Sequence, residues 1–336
     1  MKADYEAEPS LVSILIPARN EEKNIEHCIK AILEQSYTNF ELIVCDDQSQ
    51  DQTAKIVQGF AKKDQRIQLI HTGELPGGWL GKNRTCHILS QHAKGEYYLF
   101  LDADVRINGD IIARCRSHSA REQLSLISIF PKQTMLSKAE KQTVPIMNYI
   151  LLTLLPLILV RISSFTSLAA ANGQFMFFKA ADYQKIQAHK ILRNNKVEDI
   201  AIARLLKKNN LKISCQTGYE TVTCRMYTSY NEAVNGFARN IVAYFGGSFL
   251  LALLFWTFTT FGIFFIFWQL NLGFSLLALL IYLSIRLLVS LKSHDKIATN
   301  FSFIFQQQWA MAVILFYSRI NFFKKQQIWK GRNIMS

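Results

Sequence analysis

Along residues 11–130, short continuous apolar runs alternate with stretches whose apolar positions recur at helical spacing. The runs at Leu11–Ile16, Phe40–Cys45, Ile67–His71, Tyr97–Leu101 and 124–130 predict buried strands, because a strand covered on both faces has no polar face to show. Pro17 is expected to end the first of them. Between strands, Ile25, Cys28, Ile29, Ile32 and Leu33 mark one face of a helix over 21–35. Further helices are expected over 52–63, capped by Asp51, and over 83–93 and 108–120. Strands alternating with helices predict an α/β fold: a Rossmann-like, mostly parallel sheet with helices on both faces and right-handed connections. The first strand is not followed by G-x-G-x-x-G, which argues against a dinucleotide cofactor.

The pattern then changes. The apolar run 146–160 is broken by Pro156 and is shorter than the roughly 20 residues a bilayer crossing needs. It reads as a helix dipping into the membrane surface or as a buried core helix. Phe175–Phe178 predicts a core strand, and Val197–Asn209 a short helix. Gly246–Trp268 and Leu272–Leu291 are each long enough to cross about 30 Å of hydrocarbon at about 1.5 Å per residue. Only Gln269, Leu270 and Asn271 separate them, so they predict a transmembrane hairpin with Arg286 snorkelling to the headgroups. Residues 301–320 are apolar but carry Gln306, Gln307 and Gln308, and predict an interfacial or re-entrant helix or a third crossing. The tail holds Arg319, Lys324, Lys325, Lys330 and Arg332; a cytoplasmic tail favours two crossings. The expected organisation is a cytoplasmic catalytic domain over 1–245, a membrane region over 246–320 and a basic cytoplasmic tail over 321–336.

A net charge of +13 on 336 residues calls for an anionic partner. No helix-turn-helix, zinc or RNA-binding signature is present, so nucleic acid is not expected. An anionic membrane surface and a phosphorylated substrate account for the charge. Six cysteines without C-x-x-C spacing read as free thiols in a reducing compartment. The polar, acidic start, Met1 to Ser10, is not a signal peptide, which keeps the first domain cytoplasmic at the cell inner membrane. The apolar segments hold too few charges to line a channel.

The candidate chemistry is acidic. Asp102 and Asp104 end an apolar strand, where ligands bind in open α/β sheets; as hard oxygen donors they suit Mg²⁺ or Mn²⁺ holding a diphosphate, or they are merely strand-end solvation. Asp46 and Asp47 end the second strand and either accept from a nucleobase and ribose or form a turn cluster. Lys82 follows Gly77, Gly78 and Gly81 in a loop that either approaches a phosphate or is simply mobile; its spacing is not that of a P-loop. Asp199, beside Glu198 at a helix start, is a candidate general base or an ordinary helix-terminal charge. Arg225 and Arg239 are candidate clamps for a leaving diphosphate or plain surface arginines. The histidines read as structural.

Taken in order, Ile16-Pro17-Ala18-Arg19-Asn20-Glu21-Glu22, Asp46-Asp47-x-Ser49-x-Asp51-x-Thr53, Lys82, Asp102-Ala103-Asp104 and Glu198-Asp199 resemble the family-2 glycosyltransferases of GT-A fold over about residues 10–240. The loop Pro76-Gly77-Gly78-Trp79-Leu80-Gly81-Lys82 looks like the subgroup that glycosylates carotenoid or hopanoid lipids, and Ile328-Trp329-Lys330-Gly331-Arg332 resembles the tail of lipid-directed relatives. The resemblance implies that Pro17, Asn20 and Glu21 line the nucleotide pocket beside Asp46 and Asp47. It implies that Lys82 faces the diphosphate, Asp102 the sugar-nucleotide and Asp104 the metal, with Asp199 the base of an inverting transfer and Asn172, Gly173, Gln174 and Glu198 on the acceptor side. Gly236-Phe237-Ala238-Arg239-Asn240 keeps only the arginine of the Gln-x-x-Arg-Trp motif of many membrane members, which speaks for one sugar per acceptor. The implied function is metal-dependent transfer from a nucleotide-sugar, a UDP-sugar first of all, to a membrane lipid. The alternatives are a polyprenyl-phosphate glycosyltransferase and a catalytically silent GT-A scaffold or sugar-nucleotide sensor.

Overall fold

The computed structural model describes residues 10–324, 328–330 and 332–333. The acidic segment 1–9 and, in the tail, Lys325 and Gly331 lie outside the described residues. In chain order the elements are β1 (Val12–Ala18), α1 (Ile25–Leu33), β2 (Phe40–Asp46), α2 (Thr53–Ala61), β3 (Ile67–His71), α3 (Gly81–His92), β4 (Tyr97–Leu101), β5 (Val105–Ile107), α4 (Ile111–Glu122), β6 (Leu126–Phe130) and β7 (Lys132–Gln133). Then come α5 (Lys138–Thr143), α6 (Pro145–Leu154), α7 (Ile158–Ile162), β8 (Phe175–Lys179), α8 (Ala180–Ile186), α9 (Ala188–Ile191), α10 (Glu198–Lys208), β9 (Ile213–Thr217) and β10 (Val222–Cys224). The chain closes with α11 (Tyr230–Asn240), α12 (Phe249–Gln269), α13 (Leu272–Ser293), α14 (Ile297–Ser302), α15 (Ile304–Lys324) and the short β11 (Ile328–Trp329) and β12 (Arg332–Asn333). Two compact units result: residues 1–132 with 157–224, and residues 133–156 with 225–336.

The first unit is built on a sheet of order β3-β2-β1-β4-β8-β6-β9. Its pairs are parallel except those of β8, which runs antiparallel to both β4 and β6. The expected mixed α/β architecture is therefore present. The first strand runs through Pro17, which pairs with Cys45 of β2, and does not end before it as expected. Pairing of β1 with β4 stops at Leu15 and Phe100, so no second neighbour asks Pro17 for the N–H it lacks. Ile14, Leu15, Leu42, Leu99 and Phe178 are fully buried, which fits their unbroken apolar runs. A tight contact closes the approach to β4: the Gly95 N–H donates to Ser13 Oγ at 2.8 Å, and a Cβ on Gly95 would lie 2.7 Å from Leu11 O.

This topology places the site. The carboxyl ends of the parallel strands β1, β2 and β4 share one edge, bringing the residues after Ala18, Asp46 and Leu101 together. Because β8 runs the other way, its first residue, Phe175, pairs with the last of β4, Leu101. The tripeptide Asn172-Gly173-Gln174 therefore enters the sheet at the same edge.

In the second unit α12 and α13, of 21 and 22 residues and each with mean hydropathy 2.2, are long and apolar enough to cross a membrane. Phe258, Phe264, Leu272 and Leu280 stand exposed on them, unlike the side chains of a soluble core helix. Arg286 does not snorkel as expected. It is 3% exposed; its Nη1 donates to Gln307 Oε1 at 2.9 Å, and its guanidinium lies 3.8 Å above the Tyr149 ring. Gln307 and Gln308 of α15 face inward while Gln306 is exposed, and Gln308 O and Oε1 accept from Trp256 Nε1 and Thr260 Oγ1 at 2.9 and 3.0 Å. The opposite face of α15 exposes Phe305, Trp309, Phe316 and Phe323. The run 146–160 divides at Leu155: Ile146–Ile150 are buried in the second unit, while Ile158–Ile162 belongs to the first, where Val160 is buried and Ile158 and Ile162 stand exposed.

Candidate active site

The loop leaving β1 is laced to the turn between β2 and α2. Asn20, at φ 52°, donates its N–H to Ser49 Oγ at 2.9 Å, and its Oδ1 accepts from the Gln50 N–H at 2.9 Å. The Glu21 N–H donates to Thr53 Oγ1 at 2.8 Å and the Glu22 N–H to Asp51 Oδ2 at 3.0 Å. Asp51 serves this lacing, and Gln52 stands at the cap position of α2. Asp46 and Asp47 are buried at the end of β2. Asp47 Oδ1 accepts from Thr72 Oγ1 at 3.0 Å, and Asp46 Oδ2 accepts from the Ser49 N–H at 3.2 Å and lies 3.6 Å from His71 Nδ1. Asp46 Oδ1 is buried and without a hydrogen-bond partner among the described residues. Pro17, Asn20, Glu21, Asp46 and Asp47 thus share one corner of the sheet edge.

Lys82 stands in the first turn of α3. Asn83 anchors that turn by donating from its buried side chain to the carbonyls of Leu192 and Asn195 at 2.9 and 3.0 Å, in the loop that leads to α10. Lys82 Nζ lies 3.0 Å from Asp102 Oδ1 and from Oδ2, and 3.3 Å from Glu198 Oε1. Desolvation works against its charge, but Asp102 and then Glu198 outweigh it and hold the ammonium well above its usual pKa. Asp199, one residue into α10, accepts from the Gly173 N–H at 3.1 Å on Oδ2 and from its neighbour Ile200 N–H at 2.7 Å on Oδ1. Desolvation, then the Glu198 carboxylate, push Asp199 up to about 7. A Cβ on Gly173 would sit 3.2 Å from Lys82 Nζ and 3.3 Å from Glu198 Oε1, so the glycine leaves these groups room. Lys82, Asp102, Gly173, Glu198 and Asp199 therefore form one cluster.

Asp104 lies across from Gln174, whose Nε2 is 3.3 and 3.4 Å from its two carboxylate oxygens and 3.0 Å from Cys224 Sγ. Desolvation, then Asp102 and Glu21, push Asp104 up to about 7. Several carboxylates thus crowd one end of the sheet, and Lys82 is the cation paired with Asp102. The donor set fits a divalent cation: two oxygen donors one residue apart, in a field of excess negative charge. Among the described residues no three His, Cys, Asp or Glu side chains converge on a point. Mg²⁺ and Mn²⁺ are held by one or two carboxylates together with substrate phosphates, and Asp104 and Asp102 are the residues that would hold one here.

The two arginines read as clamps belong to the second unit. Arg225 Nε donates to the buried Glu140 Oε1 at 2.7 Å, an ion pair within that unit. Glu140 also completes the capping box of α5 with Ser137. Arg239 sits in the last turn of α11, its Nε 3.4 Å from Gly236 O. Sequence reasoning missed Thr72, Asn83 and Cys224. Asn83 and Thr72 flank Lys82 and His71 as ordinary polar residues, and Cys224 lies 120 positions from the Asp104 it touches, so no local spacing announces any of them.

A mostly parallel sheet of this order with an acidic edge agrees with the GT-A fold. Residues 13–184 match the family model described as glycosyl transferase family 2, and the chain belongs to that family. It is 26% identical over 239 residues to the 4,4'-diaponeurosporenoate glycosyltransferase of Staphylococcus haemolyticus, covering 68% of this chain and 60% of that protein. A stretch of 94 residues, 28% of this chain and 35% of the relative, is 42% identical to the UDP-Glc:alpha-D-GlcNAc-diphosphoundecaprenol beta-1,3-glucosyltransferase of Escherichia coli. The match therefore spans 60% or less of the length of these curated relatives. The mannosyltransferase PcManGT of Pyrobaculum calidifontis, solved with GDP-Man and Mn²⁺, superposes with a TM-score of 0.58 at 17% identity, covering 95% of this chain and 88% of that one; at that identity the likeness is one of fold.

Proposed function

We propose that the chain is a membrane-anchored, inverting glycosyltransferase that moves one sugar from a nucleotide-sugar, a UDP-sugar first of all, to a lipid hydroxyl or carboxyl. The observation that carries this reading is the cluster of Lys82, Asp102, Gly173, Glu198 and Asp199. It sets a cation for a diphosphate beside a carboxylate at a pKa suited to a general base. The carotenoid and lipid-diphosphate glycosyltransferases among the relatives support a lipid acceptor, and the GDP-Man and Mn²⁺ complex of the structural neighbour supports a metal-assisted nucleotide-sugar donor.

In this mechanism Asp46 and Asp47 hold base and ribose through acceptor oxygens, with Pro17, Asn20 and Glu21 around them. Lys82 releases Asp102 toward the donor and turns its charge to the diphosphate. When bound, a divalent cation at Asp104 and Asp102 supplies charge neutralisation for the leaving diphosphate. The acceptor oxygen bonds to the anomeric carbon as the bond from that carbon to the phosphate oxygen breaks, and Asp199 takes the acceptor proton. Gly173 holds Asp199 in place from the backbone. The anchor confines enzyme and acceptor to one bilayer, raising the rate at which they meet. The two apolar helices and the basic residues of the tail support a multi-pass protein whose catalytic unit is cytoplasmic.

The test is to incubate detergent-solubilised protein with a panel of sugar nucleotides and extracted lipids and to read product masses. One added hexose on a lipid, lost with Asp199→Asn and with chelator, is expected. Transfer that survives Asp199→Asn would remove the base from the mechanism. A product cleaved in mild acid as a phosphodiester would mean a polyprenyl-phosphate acceptor, and no turnover with any donor would leave a silent scaffold.

A further inference from the structure

We infer that Gln174 is a positioning residue for Asp104, and that Asn172-Gly173-Gln174 ties the metal-side carboxylate, the donor lysine and the base into one rigid hub. The inference rests on the reading above that Asp104 takes the divalent cation.

Gln174 reaches both acidic positions at the end of β4. Its main-chain carbonyl accepts from the Asp102 N–H at 3.1 Å. Its side-chain Nε2 faces both oxygens of Asp104 at 3.3 and 3.4 Å and Cys224 Sγ at 3.0 Å. Two N–H groups spread over three acceptors make long bonds, which orient a carboxylate without neutralising it. The Asp104 lone pairs stay available to a cation while its plane is fixed. Gln174 is 6% exposed, so the amide is held by its surroundings and solvent does not compete for it.

The hub is anchored from behind. The Gln174 N–H donates to Asn172 Oδ1 at 2.8 Å. The Asn172 N–H donates to Ser128 Oγ at 2.7 Å, and that hydroxyl donates back to Asn172 O at 3.2 Å. Ser128 lies fully buried in β6, so the tripeptide hangs on the sheet itself. Between the anchored residues, Gly173 donates to Asp199 at 3.1 Å, and its missing side chain admits Lys82 and Glu198. Gln174 thus serves Asp104, Gly173 serves Asp199, and Asn172 fastens both to β6. A shift of this loop would move Asp104 and Asp199 together.

The experiment uses the full chain in detergent, with Mn²⁺ and uridine diphosphate as probes. Gln174→Met keeps the bulk and removes the donor. We expect the Mn²⁺ dissociation constant, read by electron paramagnetic resonance in the presence of uridine diphosphate, to rise about 10–100-fold, the range seen when partners of a metal ligand are removed. The Mn²⁺ concentration for half-maximal turnover rises in step, while the KM for lipid acceptor and the affinity for uridine diphosphate without metal stay as in the wild type. If Gln174→Met does not fold, Gln174→Asn, which retracts the amide by one methylene, gives the same readouts. Unchanged Mn²⁺ binding with a raised acceptor KM would overturn the inference and make Gln174 an acceptor contact. Failure of the wild type to bind Mn²⁺ with uridine diphosphate would instead bring down the metal reading on which the inference stands.

Discussion

Asp199 is held on both carboxylate oxygens by backbone N–H groups, yet desolvation and Glu198 push it up to about 7. Only its ionised form can take a proton, so kcat/KM is expected to fall as pH drops through about 7 and to be full above it. For stability the sign reverses. The fold favours the neutral carboxyl, so this group's contribution is present below the ordinary carboxylate range and lost as pH rises through about 7. Glu198→Gln removes the second cause of the shift, and the acid limb of kcat/KM should move to lower pH; a limb that stays in place would assign it to another group. Asp102, Asp104, Glu198 and Asp199 were legible as residues because each stands where an apolar run or a helix begins or ends. What was not legible is that Lys82 bridges two of them across a sequence gap of more than ninety residues. Arg225 shows the converse. Its partner Glu140 is buried 85 positions away, and a charge with so distant a mate reads as free.

Elements were read well where periodicity is strong and less well where neighbours decide. The first four strands stand close to their apolar runs, but the direction of β8 could not be read. Strict alternation of strands and helices argues for parallel pairing, while the chain between β6 and β8 holds α5, α6 and α7 and returns β8 antiparallel. That one reversal carries Asn172-Gly173-Gln174 to the active edge. In the second unit, α13 and α15 are coupled through Arg286 and Gln307 at 2.9 Å, and Gln307 Nε2 further donates to Lys141 O at 3.1 Å. With no carboxylate among its partners in the described residues, the buried guanidinium depends on such neutral acceptors and on the Tyr149 face. Arg286→Ala leaves Gln307 Oε1 without its donor and should cost about 1–3 kcal/mol. A double-mutant cycle with Gln307→Ala, read from thermal midpoints in detergent, should return a coupling of about 0.5–3 kcal/mol. Additive losses would mean that the two helices are held by packing alone.

At the scale of the whole molecule, charge and hydropathy make a joint statement about topology. The hairpin α12–α13 turns at Leu270 and Asn271, and α15 buries Gln307 and Gln308 while exposing Phe305, Trp309, Phe316 and Phe323. A helix with a polar seam on one side and aromatics on the other suits the interface, where aromatic rings and basic residues meet headgroups. Its last turns supply Arg319, whose guanidinium lies 4.4 Å from the Phe323 ring, and Lys324. A third crossing by α15 would put those cations on the far side, against the positive-inside tendency, and on this ground we propose that α15 lies in the interface. The six native cysteines are free and buried, so an added surface thiol can report alone. Gln269→Cys, at the exposed end of α12 beside the turn, should react with an impermeant maleimide in intact cells. Lys324→Cys, also exposed, should react only after the membrane is permeabilised. Reaction of both in intact cells would mean three crossings, and would require the basic tail to be held outside by something stronger than its charge.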